Sequence, residues 1–357
     1  MAKTPPPPDT RKNVLLLPYD RRYWGGPNHF QIPAHGRVYK FGEAKCRFRK
    51  AWQDTPPERI LEGRYLYGGP LKVHFGHMLV DTIVRLYAFD PAIHRGVVFP
   101  KVEGFAVQDW VRQIIGLFGI DKQQLFILDR PTQIEELDFA RPASGLGEGP
   151  KPWYLSYLRR KAKDWALPRH KVPEGGFPKD IFLGRTHILH KGSLMGESWI
   201  EEALNNSGFA SVTPEKYGIR QQMAMLRNAR RVVFTEGSSV YPIELLNSSS
   251  ASFYMIPRRQ NGANLFRPHI EPRGPFHQLG DDMSLRRLPN FKGKITADSA
   301  SVISRPETIH EAMVRLGLVP DTPFDAEVFE AAVQADVSAH TRGDAKRVEA
   351  LLEQINR

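Results

Sequence analysis

Hydrophobic positions along the chain follow two regimes. Up to about residue 178 the apolar runs are short and irregularly spaced; beyond it they recur at regular intervals. In the first regime Val14–Leu17 predicts a short strand. The stretch from Tyr19 to Pro70, crowded with Gly, Pro and Arg, predicts loops with a few edge strands. Leu71–Phe89 predicts a long apolar helix, Gly96–Pro100 a buried strand, Val107–Phe118 an amphipathic helix and Leu125–Leu128 a further strand. A Gly/Pro-rich break at 141–150 precedes a basic, aromatic helix over Trp153–Leu167, and the Pro/Gly cluster 173–178 predicts an interdomain linker.

The second regime reads more cleanly. Strands are expected at Asp180–Leu183, Ala210–Val212, Arg231–Thr235 and Ser250–Ile256. Between them lie helices over Glu197–Ser207, closed by Gly208, over Arg220–Ala229, and from Gly237 to about Leu246. Strands and helices alternating over short connections predict a parallel, doubly wound half-sheet with right-handed crossovers. Residues 306–317 and 324–356 predict terminal helices. The expected organisation is a disordered Pro-rich tail over 1–12, domains over 13–172 and 173–304, and C-terminal helices over 305–357.

Composition narrows the class. The 357 residues are 41% hydrophobic and 25% charged, an ordinary soluble globular balance. No stretch approaches the roughly 20 uncharged apolar residues of a membrane span. The opening residues lack the apolar core of a secretory signal. Cys46 is the single cysteine, which excludes an internal disulfide and a multi-cysteine metal site and suits a reducing, cytoplasmic compartment. The net charge of +11 calls for an anionic partner. The excess is scattered, however, over Arg47/Arg49/Lys50, Arg159/Arg160/Lys161/Lys163, Arg227/Arg230/Arg231 and Arg258/Arg259. No zinc-finger spacing, aromatic RNA-binding motif or basic tail points to nucleic acid.

Two constellations carry candidate chemistry. On the helix after Gly68-Gly69, His74, His77, Asp81 and Arg85 fall within an arc of roughly 80° at about 100° per residue. The rest of that helix is apolar nearly all round, so it is buried, and a buried polar stripe is costly unless its members pair or face a cleft. The bland alternative is an Asp81–Arg85 pair four residues apart beside core histidines. Metal binding by His74, His77 and Asp81 is a third reading, which the neighbouring arginine disfavours. The second constellation is Glu236-Gly237-Ser238-Ser239, following strand Arg231–Thr235. Free N–H groups and hydroxyls at a helix start favour a phosphate, and ligands of doubly wound sheets sit at the carboxyl ends of strands. Arg185, just beyond strand Asp180–Leu183, can reach the same anion with its bidentate fork. Plain capping by Ser238 or Ser239 is the alternative. His187, His190 and Lys191 follow Arg185 without a recognised spacing, Asp281-Asp282 lacks the framing of a metal–diphosphate motif, and Walker, GxGxxG and GxSxG motifs are missing.

Taken in order, these elements resemble glycosyltransferase family 61. HFGHMLVDTIVRLYAFD resembles that family's HWLLDxLPRL element at His77, Asp81, Arg85 and Leu86, with Val84 in place of the usual proline. IFLGR resembles its strand ending in arginine, here Arg185, and Gly196-Glu197 its Asn-Glu. The arginine usual four residues before that glutamate is Ser193. Glu215, Gln222, Gly237 and Ser238 carry the pattern of the following segment, with Glu236-Gly237-Ser238 where many members have His-Gly-Ala, as in a bacterial branch that makes surface polysaccharides. The resemblance spans about residues 65 to 250.

That resemblance implies an α/β, GT-B-like protein: two Rossmann-like domains facing across a cleft. Residues 13–172 would form the acceptor side and 173–304 the nucleotide-sugar-binding domain. It implies inverting transfer from a nucleotide sugar to a hydroxyl of a glycan or lipid-linked glycan, in surface polysaccharide synthesis, with no metal or cofactor. Arg185, Glu236, Gly237, Ser238 and Ser239 are then the donor-phosphate residues. Asp81 is the preferred base, with His77 orienting it or exchanging roles, and His74, Arg85, Glu215 and Gln222 are supporting residues. The departures at Val84, Ser193 and Glu236 suit an alternative: a degenerate, non-catalytic scaffold that binds glycan or nucleotide. Arg159–Lys163 beside Trp153, Tyr154 and Tyr157 offers peripheral contact with the anionic inner face of a membrane, with an ordinary exposed helix as the alternative.

Overall fold

The computed structural model describes residues 4–16, 29–34, 37–40, 46–48, 56–69, 71, 74–100, 106–189, 192–290, 292–296 and 299–356. It is a mixed α/β protein whose chain divides into two compact units, Met1–Trp165 and Ala166–Arg357. Trp165 belongs to the first unit because its ring packs edge-on against Phe118, with centroids 4.9 Å apart.

Among the described residues, five strands form the main sheet of the first unit, in the spatial order Asp9–Leu16, Thr132–Phe139, Arg59–Tyr67, Gly96–Pro100, Leu125–Leu128. All neighbours run parallel except the edge strand Asp9–Leu16, which lies antiparallel to Thr132–Phe139. Residues 9–12, expected in a disordered tail, are therefore part of a sheet. Thr10 shows why: its Oγ1 donates to Asp138 Oδ1 at 2.7 Å. The same carboxylate accepts from Arg64 Nη2 at 2.9 Å and contacts His94 Nε2 at 3.0 Å. Burial works against the charged form of Asp138. Hydrogen bonds from Thr10, Arg64 and His94 outweigh burial and hold it below the usual carboxylate range.

The central strand Arg59–Tyr67 also falls where the sequence predicts loops. Its register shifts between Leu61 and Arg64, where Gly63 takes a φ of 93°. Such a bulge breaks the period-two alternation by which a strand is read. His29–Ala34, Arg37–Lys40 and Cys46–Phe48 form a small antiparallel sheet within the same stretch.

The second unit is a parallel sheet in the order Ala210–Ser211, Asp180–Leu183, Arg231–Thr235, Ser252–Ile256, Phe276–Gln278. In chain order this is 2-1-3-4-5, so the strand order reverses between Asp180–Leu183 and Arg231–Thr235. Helix Glu197–Asn206 ends as predicted: Gly208 takes a φ of 85° and Phe209 N–H returns to Leu204 O at 3.0 Å. The segment expected to be a helix after Gly237 is instead a tighter 3-10 run, Ser238–Leu245. Pro242 within it has no N–H for an α-helical bond. The terminal helices Pro306–Arg315, Ala326–Thr341 and Ala345–Ile355 bury Ile309, Met313, Phe329, Val333, Val337 and Leu351 in one core with Phe182, Val233 and Tyr254. They complete the second unit and are not an appendage to it. Among the described residues no helix is long and apolar enough to cross a membrane.

Candidate functional site

Two polar constellations stand in the two units. In the first, the predicted helix over Leu71–Phe89 is realised in three pitches. An α-helical turn, Phe75–His77, widens into π-type turns over Met78–Thr82 and tightens to 3-10 turns over Ile83–Ala88. Such widened turns recur at functional sites. The apolar faces are fully buried at Met78, Leu79, Val80, Ile83 and Val84. Each of the three segments carries one conspicuous polar residue: His77, Asp81 and Arg85.

His77 Nδ1 lies 2.7 Å from Asp81 Oδ2, and the two side chains are 30% and 12% exposed. Arg85 is buried and donates from Nη1 to the Asp81 main-chain carbonyl. Burial lowers its pKa to about 10, while Tyr67, Asp81 and Tyr87 pull the other way. Gly69 leaves room for it: a Cβ there would stand 3.1 Å from Arg85 Nη1. His74 is exposed at the start of the helix, its ring 5.0 Å from that of His77. The structure thus brings all four predicted residues of this stripe together. It joins Asp81 to His77 through side chains and to Arg85 through the backbone.

The second constellation sits at the reversal point of the parallel sheet. Arg185 follows strand Asp180–Leu183, and Glu236-Gly237-Ser238-Ser239 follows strand Arg231–Thr235. Arg185 lies over Gly237, where a Cβ would come within 2.9 Å of Nη1. Gly237 is extended, with a φ of 174°, so its small size matters here through close approach alone. Gly237, Ser238 and Ser239 are partly exposed. The Arg185 N–H donates to Glu197 Oε1 at 2.6 Å, from the first residue of helix Glu197–Asn206. Burial pushes the Glu197 carboxyl up to about 7, against the pull of Thr235, Arg185 and Arg258.

The remaining predicted residues have structural work. Glu236 is fully buried and holds the neighbouring arginines. Its Oε2 accepts from the N–H groups of Arg258 and Arg259 at 2.8 and 3.1 Å, and its Oε1 from Arg259 Nε at 2.6 Å. Gln222 braces the loop before its helix, donating from Nε2 to Pro214 O and Tyr217 O at 2.9 and 2.8 Å. Glu215 stands in that loop, 3.4 Å from His187 Nε2, and contributes to the field at Arg185. Ser193 donates from Oγ to Leu189 O at 3.0 Å and lies 3.1 Å from His340 Nδ1. His190 and Lys191 lie outside the described residues. Among the described residues no three His, Cys, Asp or Glu side chains are grouped so as to hold a metal.

Two further cations at this end of the sheet escaped the sequence reading. Arg258 and Arg259 follow strand Ser252–Ile256 as Arg185 follows its own strand, so the same strand-end rule would have found them. The rings of the basic, aromatic helix pack largely on one another and on Tyr87. Trp153 packs edge-on against Tyr87 at 4.7 Å, and Tyr154 stacks on Tyr157 at 5.9 Å. Tyr154 is buried, Trp153 and Tyr157 are half-buried, and Arg159 and Arg160 are exposed.

The fold and these constellations define an α/β protein with a cationic cradle at the switch point of a parallel sheet and a His–Asp pair on a buried helix. Residues 75–250 match the glycosyltransferase 61 family model, a span that holds His77, Asp81, Arg85, Arg185, Glu197 and the 236–239 turn. The match supports glycosyltransferase family 61 and glycosyltransferase activity in general. No curated protein matches the chain.

Proposed function

We propose that this protein is an inverting glycosyltransferase that moves a sugar from a nucleotide-sugar donor to a hydroxyl of a glycan or glycoconjugate, in the GT-B manner and without a metal. One observation carries the donor side: Arg185 and the Gly237–Ser239 turn occupy the carboxyl ends of the two strands between which the sheet order reverses. Anionic ligands of such sheets bind there. The guanidinium and the N–H groups of the turn would neutralise charge growing on the leaving diphosphate.

The first unit supplies the base. A carboxylate at Nδ1 of His77 selects the tautomer with its proton on Nδ1 and leaves Nε2 to accept one. The geometry therefore favours His77 as base and Asp81 as its positioning residue, the reverse of the preference drawn from sequence. Nε2 takes the hydroxyl proton, the acceptor oxygen attacks the anomeric carbon, and the bond from that carbon to the phosphate oxygen breaks. The diphosphate leaves with the electron pair.

Surface polysaccharide synthesis at the inner face of a membrane remains the biological setting this reading favours, with lipid-linked glycans among its acceptors. The reading is tested by incubating the protein with nucleotide sugars and a panel of glycan acceptors, and following release of nucleoside diphosphate with and without EDTA. Release with EDTA present, lost in Arg185→Met, is expected, with proton NMR of the product showing an inverted anomeric centre. Release that needs an added metal, or a retained anomeric centre, would overturn the corresponding part.

A further inference from the structure

Arg258 stands at the carboxyl end of strand Ser252–Ile256, the neighbour of Arg231–Thr235 in the sheet. Main-chain carbonyls fix its side chain. Nε donates to Glu236 O at 2.6 Å, and Nη1 donates to Gly192 O. Its own N–H donates to Glu236 Oε2 at 2.8 Å. The Glu236 carbonyl belongs to the peptide that joins Glu236 to Gly237, and Gly237 is the residue over which Arg185 lies. Two guanidiniums therefore stand at adjoining residues, Arg258 on the Glu236 carbonyl and Arg185 over Gly237. Among the described residues no hydrogen bond occupies Arg258 Nη2.

This arrangement holds like charges close together at a buried place. Burial, then repulsion from Arg185, lowers the Arg258 pKa to about 10. Three guanidiniums, Arg185, Arg258 and Arg259, share this strand end with the carboxyls of Glu197, which burial pushes up to about 7, and Glu236, and Glu215 adds to the field at Arg185. Glu236 is spent on holding the arginines in place. An anion is the ligand that would relieve the repulsion, and a guanidinium already fixed by its Nε and Nη1 loses little entropy on presenting Nη2.

Accepting the switch point as a phosphate site, we propose that Arg258 is a donor-binding residue that engages the donor's phosphates together with Arg185. The sequence motif around Arg185 alone would leave one cation there; the neighbouring strand end brings the second.

Calorimetric titration with inorganic pyrophosphate and with phosphate tests this without knowledge of the nucleotide base. Wild type is expected to bind pyrophosphate more tightly than phosphate. Arg258→Met should weaken pyrophosphate binding about tenfold or more, since hydrogen bonds to charged groups are the strong ones, and Arg258→Lys should fall between the two. Arg258→Met with unchanged affinity, while Arg185→Met loses it, overturns this proposal and leaves the phosphate site standing. Wild type that binds neither anion overturns both. Should Arg258→Met not fold, phenylglyoxal labelling of wild type decides. Protection of Arg185 and Arg258 alike by pyrophosphate supports the proposal, and protection of Arg185 alone contradicts it.

Discussion

The division of labour between His77 and Asp81 follows from one hydrogen bond, 2.7 Å from Nδ1 to Oδ2. If His77 is the base, His77→Ala should lower kcat by about 10²- to 10⁴-fold, the usual worth of a positioned general base. Asp81→Asn should also slow turnover, because an amide does not hold the required tautomer, and it should shift the pH profile. Near-wild-type kcat in His77→Ala beside an inactive Asp81→Asn would make Asp81 the base. Glu197 gives a second prediction. Burial sets its carboxyl to about 7, so it is neutral below that value and ionised above it. Ionisation places a negative charge beside Arg185 and Arg258, so pyrophosphate affinity should fall as pH rises through about 7. Because the folded pKa lies above the ordinary value, the associated stability is full below the ordinary value and is lost as pH rises through about 7. Glu197→Gln should remove both slopes relative to wild type, read by calorimetry and thermal melting. Identical pH dependence in the two proteins would contradict the assignment.

Helix Glu197–Asn206 is held at its start from a distance. Its N-cap position is Gly196, which has no side chain to offer. Asp336, on helix Ala326–Thr341, accepts instead from the N–H groups of Gly196 and Ser198 at 2.8 and 3.3 Å. Burial raises the Asp336 pKa, against the pull of these same N–H groups and of Ser198. Asp336→Ala should cost about 0.5–2 kcal/mol, the range for lost caps. It should also weaken pyrophosphate binding, since Glu197 begins the helix and accepts from Arg185. A destabilised variant with unchanged affinity would show that the cap serves stability alone. The stripe on the other helix is a different case. Its side-chain grouping was legible from spacing, because His77 and Asp81 still meet across one turn. Its change of pitch was not, because π and 3-10 turns leave no separate periodic mark in so apolar a run.

Across the whole chain, the terminal helices are part of the core. Ile309, Met313, Phe329, Val333 and Val337 are buried against Phe182, Val233 and Tyr254. A chain ending at residue 304 should therefore lose cooperative melting of the second unit, because each such contact removed costs about 2–5 kcal/mol. A truncated protein melting as sharply and as high as the full chain would refute this. The sheet of the second unit was readable from sequence because its strands are short apolar runs between well-marked helices. Phe276–Gln278 was missed, three residues long with two of them polar. In the first unit the bulge at Gly63 and the polar edge strand Asp9–Leu16 hid two strands of the main sheet. Of the switch-point site, Arg185 and the glycine–serine turn were readable, since each directly follows a clear strand. The bracing role of Glu236 was not readable, because its partners, Arg258 and Arg259, lie 22 and 23 residues away and come together with it only in the folded sheet.

The most direct test of the account is a thermal-shift screen of the full chain against UDP, GDP, CDP, CMP, ADP and their sugar conjugates, each with and without EDTA. A ligand that binds only the folded protein raises its melting temperature. The account predicts a clear rise with at least one nucleoside diphosphate or its sugar, undiminished by EDTA and lost in Arg185→Met. No shift with any nucleotide, or an equal shift in Arg185→Met, would contradict it and direct attention to glycan binding without transfer.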